Sequence, residues 1–412
     1  MTQTLKRETG LLGAVLLGLG SMLGSGVFVS IGLAENMIGW WVLPAILLAA
    51  LLAGCNALSS AQLAASHAKA GGTYEYGYIF LTPTAGFTAG IMFLLAKSAS
   101  AATAALAFAA YLETLVEIDL PIVPIAVALV IALTALVLAG LRRANWMNAL
   151  IVALVVTALA TFVTLGIASP SSEPVVPGKT VKMPSFFYAS ALLFVAFTGY
   201  GRVATMAEEV RDPKHTIPSA ILATIGVTTV LYLGVAYVLA RQIGVQPEAA
   251  ISLEASSRLF GPAWLPFFIA SAALVAMAGV LLNLILGLSR VLLAMGRRGD
   301  APAMFAKLLE REPVAAIVGV GVVIGGLCLL GDIRIAWTFS AVMVLVYYAI
   351  TNWAALRLTG DEQLFPRGIA WLGLFGCIGL SLFVPPVFWL WALAALAAAF
   401  AMRRLIHREA FP

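Results

Sequence analysis

Long apolar runs alternate with short polar segments along almost the whole chain. A helix needs about 20 apolar residues to cross roughly 30 Å of hydrocarbon. On that rule the sequence predicts twelve spans: 10–33, 40–64, 84–111, 121–140, 146–168, 186–209, 217–240, 263–294, 313–330, 334–356, 367–384 and 386–402. All are predicted to be helical, because a lipid-exposed backbone must satisfy its own hydrogen bonds. Only the turn at Pro385 and Pro386 separates the last two, so eleven spans is the alternative.

Composition supports this pattern. The chain is 62% hydrophobic and 10% charged, against roughly 45–50% and about 25% in soluble domains. A soluble fold of 412 residues would lack the polar side chains to cover so much apolar surface. The predicted fold class is therefore an all-α, polytopic membrane protein in contact with lipid. Stretch 67–83 is too polar to span and is predicted to be interfacial or re-entrant.

The positive charge of the chain predicts its orientation. Net charge is +5, but the basic residues form short clusters without interleaved aromatic residues, which argues against a nucleic-acid partner. With twelve crossings, sixteen of them fall in the connecting segments on the same side of the membrane as the N-terminus: Lys6, Arg7, Lys69, Arg142, Arg143, Arg211, Lys214, Arg297, Arg298, Lys307, Arg311, Arg357, Arg367, Arg403, Arg404 and Arg408. Five fall in the opposite segments: Lys179, Lys182, Arg241, Arg258 and Arg334. The positive-inside rule then predicts cytoplasmic termini for an even number of spans, in a plasma (cell inner) membrane.

Glycine-rich runs interrupt two predicted spans. The first contains GLGSMLGSGVFV and the sixth contains FTGYG at 197–201. Glycine costs about 1 kcal/mol relative to alanine inside a helix and allows the backbone to leave helical geometry. Close helix packing also explains the spacing of Gly20 and Gly24 taken alone. Paired interruptions five helices apart, however, are typical of a transporter site.

The ends of broken helices suit one class of ligand. A half-helix N-terminus offers unpaired N–H groups and partial positive charge to a carboxylate. The opposing half-helix ends offer free carbonyl groups to an ammonium. A zwitterionic amino acid carries both groups close together, so the pattern favours amino acids as the substrate.

Four motifs resemble the amino acid–polyamine–organocation superfamily of transporters, which includes the amino acid permeases. They are GSMLGSGVFV, SHAKAGGTYEYGYIFL, FTGYGRVATMAEEVRDPKHTIPSAI and SRVLLAMGRRGDAPAMFAKL. The similarity covers roughly residues 8–360 and implies a five-plus-five inverted-repeat fold with alternating access. The transport core would be 1–360, with repeats at about 10–168 and 186–356. Residues 361–412 would form two peripheral C-terminal helices and a cytoplasmic tail.

The resemblance also implies a substrate site. The N–H groups of Ser25 and Gly26 would hold the substrate carboxylate. The carbonyl groups of Met22, Val195 and Thr198 would hold the amine. The full set of candidate site residues is Met22, Gly24, Ser25, Gly26, Val195, Phe197, Thr198, Gly199, Tyr200 and Gly201. The expected function is secondary transport of amino acids, most of all neutral zwitterionic ones, and the alternative is another small organic solute such as an anionic amino acid or an amine.

Two basic residues lie inside predicted spans near the proposed site. Lys97 is about halfway along the third span, on a face of small residues, so it is predicted to point into the bundle. Arg202 follows the sixth-span break. An ionisable residue inside a membrane indicates a function unless it is paired. For Lys97 the alternatives are a proton carrier, a charge replacing a coupling ion, and a structural lysine that snorkels to the membrane surface or bonds to carbonyl groups. For Arg202 they are a functional charge and a pairing with Glu208 or Glu209.

The chain departs from the family pattern where coupling ions are handled. Many members carry an acidic residue where this chain has Gly201. Proton-coupled members carry a lysine at the position of Val155, and sodium-coupled relatives carry hydroxyl groups at the positions of Ala278 and Gly279. Neither sodium coupling nor the usual lysine mechanism is therefore supported. Either Lys97 provides proton coupling, or the protein is an uncoupled exchanger.

Rival classes of protein have less support. An enzyme using Ser25 as a nucleophile needs a base within hydrogen-bond reach, yet the histidines map to the predicted inner surface at His67, His215 and His407. The three cysteines lie far apart in apolar runs, without metal-ligand spacing. A channel is a weaker alternative, because the sequence has no repeated filter loop. We therefore expect no enzyme activity, no metal and no cofactor; the sequence leaves the oligomeric state open.

Overall fold

The chain forms a bundle of helices. The computed structural model describes residues 10–67, 71–119, 121–140, 145–170, 181–204, 213–242, 252–309 and 312–409. The α-helices are α1 (Leu11–Met22), α2 (Ile31–Ile38), α3 (Val42–Ser66), α4 (Thr73–Tyr76), α5 (Pro83–Val116), α6 (Ile122–Leu138), α7 (Asn145–Ala168), α8 (Met183–Phe197), α9 (Gly201–Ala204), α10 (Pro213–Gln242), α11 (Leu253–Phe260), α12 (Leu265–Arg298), α13 (Val314–Cys328), α14 (Ile333–Ala355), α15 (Arg367–Ser381) and α16 (Pro386–Glu409). Shorter turns are π-helical at Gly26–Ser30 and Gly77–Leu81, and 3₁₀ at Gly39–Trp41, Thr198–Tyr200, Ala303–Ala306 and Gly360–Glu362.

The apolar helices account for every predicted span. Eight helical stretches in the described part are long and apolar enough to cross a membrane: Leu11–Ser66, Pro83–Val116, Trp146–Ala168, Met183–Val203, His215–Gln242, Leu265–Arg298, Ile333–Ala355 and Pro386–Ile406. The first of these contains the first two predicted spans. The shorter apolar helices α6, α13 and α15 match the fourth, ninth and eleventh. The all-helical fold is confirmed, whereas the number of crossings and the inverted repeat stay predictions.

Helix α5 packs along both α12 and α14. Its sequence is rich in small residues, and Ala96, Ala99 and Ala104 are completely buried. Small side chains let helix backbones approach closely, which matters in lipid because burial of apolar surface does not drive helices together there. Polar contacts fix the α5–α14 pair further. The Ser340 hydroxyl donates to the Ala96 carbonyl (2.9 Å) and lies 2.8 Å from the Ser100 hydroxyl.

On the side predicted to be external, α11 is held against the end of α5. The Tyr111 hydroxyl donates to the Phe28 carbonyl (3.1 Å) and accepts the Leu253 N–H (3.2 Å). Arg258 of α11 forms ion pairs with Glu254 (2.6 Å) and with Glu117 at the end of α5 (3.4 Å). These contacts tie the second half of the first broken helix to α5 and α11.

On the side predicted to be internal, a buried carboxylate joins three distant parts of the chain. Asp300 is 2% exposed, and its Oδ2 atom accepts hydrogen bonds from Tyr74 Oη (2.6 Å) and Tyr78 Oη (2.5 Å). Its Oδ1 atom lies 2.9 Å from Arg403 Nε of α16. Burial, together with the accepting carboxylate, raises the pKa of both tyrosines. We call Asp300, Tyr74, Tyr78 and Arg403 the Asp300 cluster.

Further contacts stabilise stretch 67–83, which follows α3. Arg298 at the end of α12 pairs with Glu75 (2.8 Å) and lies over the Tyr78 ring, 4.1 Å from its centre. The Thr73 hydroxyl lies 2.7 Å from that of Thr351 in α14. The stretch was predicted to be interfacial or re-entrant; within its described part, segment 73–81 is a short helical piece packed on α5, α12, α14 and α16.

Candidate functional site

The first broken helix leaves helical geometry just before Gly26. Helix α1 ends at Met22, and Leu23 has ψ of 84°, outside the helical region. The chain re-enters a helix at Ser25, where the π-turn Gly26–Ser30 follows and leads into α2. The first N–H groups of a helix have no intrahelical acceptor. The N–H groups of Ser25 and Gly26 therefore lie at a half-helix N-terminus, and their binding of a substrate carboxylate stays a prediction.

The second break is a change of helix type. Helix α8 ends at Phe197, the chain tightens into a 3₁₀ turn over Thr198–Tyr200, and α9 starts at Gly201. The Thr198 N–H donates to the Val195 carbonyl, three residues earlier. Where hydrogen bonds change from the spacing of an α-helix to the shorter spacing of a 3₁₀ turn, carbonyl groups in the last turn of α8 lose their usual N–H donors.

The two breaks lie against each other, and glycine permits this contact. A Cβ atom on Gly26 would lie 2.9 Å from the Ala196 Cβ and 3.1 Å from the Ala196 Cα. A Cβ atom on Gly199 would overlap the backbone carbonyl of Ser21. Because carbon atoms prefer separations of about 3.5–4.0 Å, no larger residue fits at either position without movement. The N-terminal end of one half-helix thus meets the C-terminal ends of two others.

Hydroxyl groups already contact all three carbonyl groups predicted to hold the amine. The Tyr232 hydroxyl of α10 donates to the Met22 carbonyl (2.9 Å) and to the Ala196 carbonyl (3.3 Å). The Thr198 hydroxyl donates to the Val195 carbonyl (2.7 Å). The Tyr348 hydroxyl of α14 donates to the Thr198 carbonyl at 3.4 Å. Sequence reasoning missed both tyrosines, because a tyrosine inside an apolar span does not show which carbonyl its hydroxyl reaches.

Lys97 reaches the second break. Its Nζ atom donates to the Thr198 hydroxyl at 2.7 Å, so the side chain points into the bundle as predicted. Because that hydroxyl donates onward to the Val195 carbonyl, the lysine is linked through one side chain to a predicted amine acceptor. Among the residues that the structure describes, no carboxylate lies within 4.0 Å of the Lys97 amine.

The other predicted residues take different places around the breaks. The Phe197 ring packs on Tyr232, with ring centres 5.1 Å apart, and the Tyr200 ring packs on Tyr348 at 5.5 Å. Gly24 faces α12 instead, since a Cβ there would lie 2.5 Å from the Val280 Cγ2. The open side of Gly201 faces Tyr348, whose hydroxyl would lie 3.5 Å from a Cβ at that position.

Arg202 lies in α9 and is half-buried. Its predicted partners Glu208 and Glu209 lie outside the described residues. The pairing between them therefore stays a prediction.

Comparison with known proteins assigns this chain to a family. A family model for amino acid permeases matches residues 13–405, which include both broken helices. The chain belongs to the amino acid permease family. An uncharacterized transporter of Mycobacterium tuberculosis is 40% identical, over 98% of this chain and 93% of its own. The branched-chain amino acid permease BcaP of Bacillus subtilis is 27% identical, over 74% of this chain and 70% of its own. The cationic amino acid transporter 4 of Mus musculus is 27% identical, over 84% of this chain and 59% of its own.

Family membership confirms the predicted class. The permease is an integral membrane transporter of the amino acid–polyamine–organocation superfamily and not an enzyme. Its partner is a small-molecule substrate, an amino acid. The roles of the individual site residues stay predictions, which the contacts described above make specific.

Proposed function

We propose that the permease moves neutral, zwitterionic amino acids across the membrane by alternating access. The observation that carries this proposal is the direct contact between the two breaks at Gly26 and Ala196. This contact supports a site in which Ser25 and Gly26 N–H groups bind the carboxylate. The carbonyl groups of Met22, Val195 and Thr198 would bind the ammonium, a few ångströms away.

The charge beside the breaks favours neutral substrates. Lys97 lies at the second break, and the described residues place no carboxylate within ion-pair distance of it. At a separation of about 4 Å and an effective dielectric constant near 20, two like charges repel by about 4 kcal/mol. A cationic side chain or a polyamine would bring a second positive charge to the site, beyond the ammonium that every amino acid carries, and this second charge would meet the repulsion. The names of the relatives include both branched-chain and cationic amino acids. The charge of Lys97 is our reason for proposing neutral amino acids for this chain, with anionic amino acids as the alternative.

Lys97 is also our candidate for proton coupling. A lysine amine that is exposed to each side of the membrane in turn can load a proton from one side and release it to the other. Its bond to Thr198 supports this role, because Thr198 lies in the 3₁₀ turn between α8 and α9, where the sixth predicted span changes geometry. The rival hypothesis is an uncoupled exchanger in which Lys97 only holds that turn in place.

The membrane arrangement completes the proposal. We infer cytoplasmic termini in a plasma (cell inner) membrane from the sixteen-to-five distribution of basic residues in the sequence. Activity reporters fused after α16 should be active in the cytoplasm. Activity of the same fusions on the external side would contradict the orientation and imply an odd number of crossings.

A transport panel tests the substrate class. The purified permease in proteoliposomes should take up labelled alanine or leucine saturably and in preference to arginine and putrescine. When pH and sodium gradients are imposed separately, accumulation of the amino acid should follow the proton gradient and should not change with the sodium gradient. Preferred uptake of arginine or putrescine would contradict the charge argument, and no uptake of any amino acid would contradict the function.

A further inference from the structure

Tyr232 lies where both broken helices meet. Its side chain is completely buried, and its ring packs on that of Phe197. The hydroxyl donates to the Met22 carbonyl at 2.9 Å and to the Ala196 carbonyl at 3.3 Å. One hydroxyl group therefore bridges the C-terminal end of α1 and the last turn of α8.

The same hydroxyl lies beside the N-terminal end of the second half-helix. A Cβ atom built on Gly26 would lie 2.7 Å from Tyr232 Oη. The hydroxyl thus lies close to Gly26, whose N–H is proposed to bind a carboxylate, and donates to the Met22 carbonyl, which is proposed to bind an ammonium. These are the two poles between which an amino acid must fit.

Tyr348 repeats this arrangement more weakly. It is 3% exposed, and its hydroxyl donates to the Thr198 carbonyl at 3.4 Å. That distance is beyond the usual range of about 2.7–3.2 Å for a strong hydrogen bond. Two tyrosines from two unbroken helices therefore donate to two of the three carbonyl groups proposed to bind the amine.

We propose that Tyr232 and Tyr348 are affinity-setting residues whose hydroxyl groups compete with the substrate ammonium for the Met22 and Thr198 carbonyls. This inference rests on the proposed function. An ammonium forms charge-assisted hydrogen bonds that are roughly twice as strong as neutral ones, so it displaces a phenol from a shared acceptor. The hydroxyl returns when the amino acid leaves, and this return favours release.

Competition predicts that removing the hydroxyl strengthens binding. Tyr232→Phe keeps the ring on Phe197 but frees the Met22 carbonyl. A net hydrogen bond corresponds to roughly a two- to tenfold change in affinity, so the dissociation constant for the amino acid should fall by that factor. Turnover in exchange should fall as well, since release slows. Tyr348→Phe should shift affinity in the same direction by a smaller factor, because its bond is longer.

Equilibrium binding of labelled L-alanine and L-leucine to the purified permease in nanodiscs measures both variants. Tyr237→Phe is the matched control, because Tyr237 lies on the same helix, is 38% exposed and packs on Trp40. Its affinity should equal that of the wild type. If the tyrosine had a purely structural role, removing its hydroxyl would weaken substrate binding or leave it unchanged. Tighter binding therefore distinguishes competition from a structural role.

The outcomes separate the two proposals. If the wild type binds the amino acid and Tyr232→Phe binds it equally or more weakly, the competition hypothesis is wrong and the proposed function stands. If Tyr232→Phe does not fold, Tyr348→Phe decides, and unchanged or weaker binding there overturns the competition. If the wild type binds neither amino acid, the proposed substrate class and the competition both fail.

Discussion

Replacing Gly26 by alanine puts a methyl group between the two helix breaks. The new carbon would lie 2.7 Å from Tyr232 Oη, 2.9 Å from Ala196 Cβ and 3.1 Å from Ala196 Cα. Carbon atoms prefer separations of about 3.5–4.0 Å, and the Ala196 backbone cannot rotate away. Overpacking of this kind typically costs about 1–3 kcal/mol. We expect the melting temperature to fall by several degrees and the two breaks to move apart.

The same displacement should weaken substrate binding. The proposed carboxylate and ammonium groups lie on opposite sides of the contact, so separating the breaks stretches the site. If the whole cost of about 1–3 kcal/mol opposes binding, the dissociation constant rises roughly five- to 150-fold. Leucine at this position should abolish binding. Binding assays in nanodiscs and thermal unfolding in detergent measure the two effects on the same preparation.

Gly54→Ala is the control for this experiment. Gly54 lies inside α3, and a Cβ atom there meets nothing within 4 Å. Alanine at a compatible helix position stabilises by about 0.4–1 kcal/mol, so this variant should be slightly more stable and bind normally. A Gly26→Ala protein with the stability and affinity of Gly54→Ala would refute the role of the break contact.

Two further variants test other parts of the molecule. Lys97→Met removes the titratable amine with little change in volume; it should lose accumulation driven by a pH gradient and keep substrate exchange. If its accumulation still follows the gradient, Lys97 is structural. Asp300→Asn leaves Arg403 without its carboxylate, and breaking a buried ion pair typically costs about 3–5 kcal/mol. The melting temperature in detergent should fall clearly, while an unchanged value would show that the Asp300 cluster adds no stability.

The positions of both breaks were predictable because glycine acts locally. The glycines of the first span predicted where the helix is interrupted, and in the structure the non-helical residues are Leu23 and Gly24. The run at 197–201 predicted the second break, which is the 3₁₀ turn Thr198–Tyr200. Sequence did not show that Gly24 packs on Val280, because the neighbour of a glycine depends on how distant helices are arranged.

Partners across the bundle were less predictable for the same reason. The small-residue face of α5 predicted that Lys97 points inward, but not that it reaches Thr198 on the sixth span. Tyr232 and Tyr348 looked like ordinary aromatic residues inside apolar runs. Only the folded chain shows that their hydroxyl groups reach carbonyls at the breaks.

Segment 73–81 illustrates the limit of what composition can predict. Its tyrosines resemble membrane-interface anchors, which are common at such positions. In the structure, Tyr74 and Tyr78 instead donate to Asp300. A carboxylate more than 200 residues away in sequence gives no local signal, so no periodicity in the segment itself identifies the partner.

The Asp300 cluster also constrains the order in which the chain matures during synthesis. Asp300 is translated about a hundred residues before Arg403, which pairs with the carboxylate from α16, and its tyrosine partners are translated more than 200 residues before Asp300. At about 5–20 residues per second, the carboxylate waits roughly 5–20 s for its cation. Until α16 emerges and docks, the growing chain has to keep this site hydrated at the membrane surface. A ribosome that stalls within α16 therefore leaves the Asp300 carboxylate without the Arg403 cation, and we expect membrane-protein quality control to degrade such an incomplete chain.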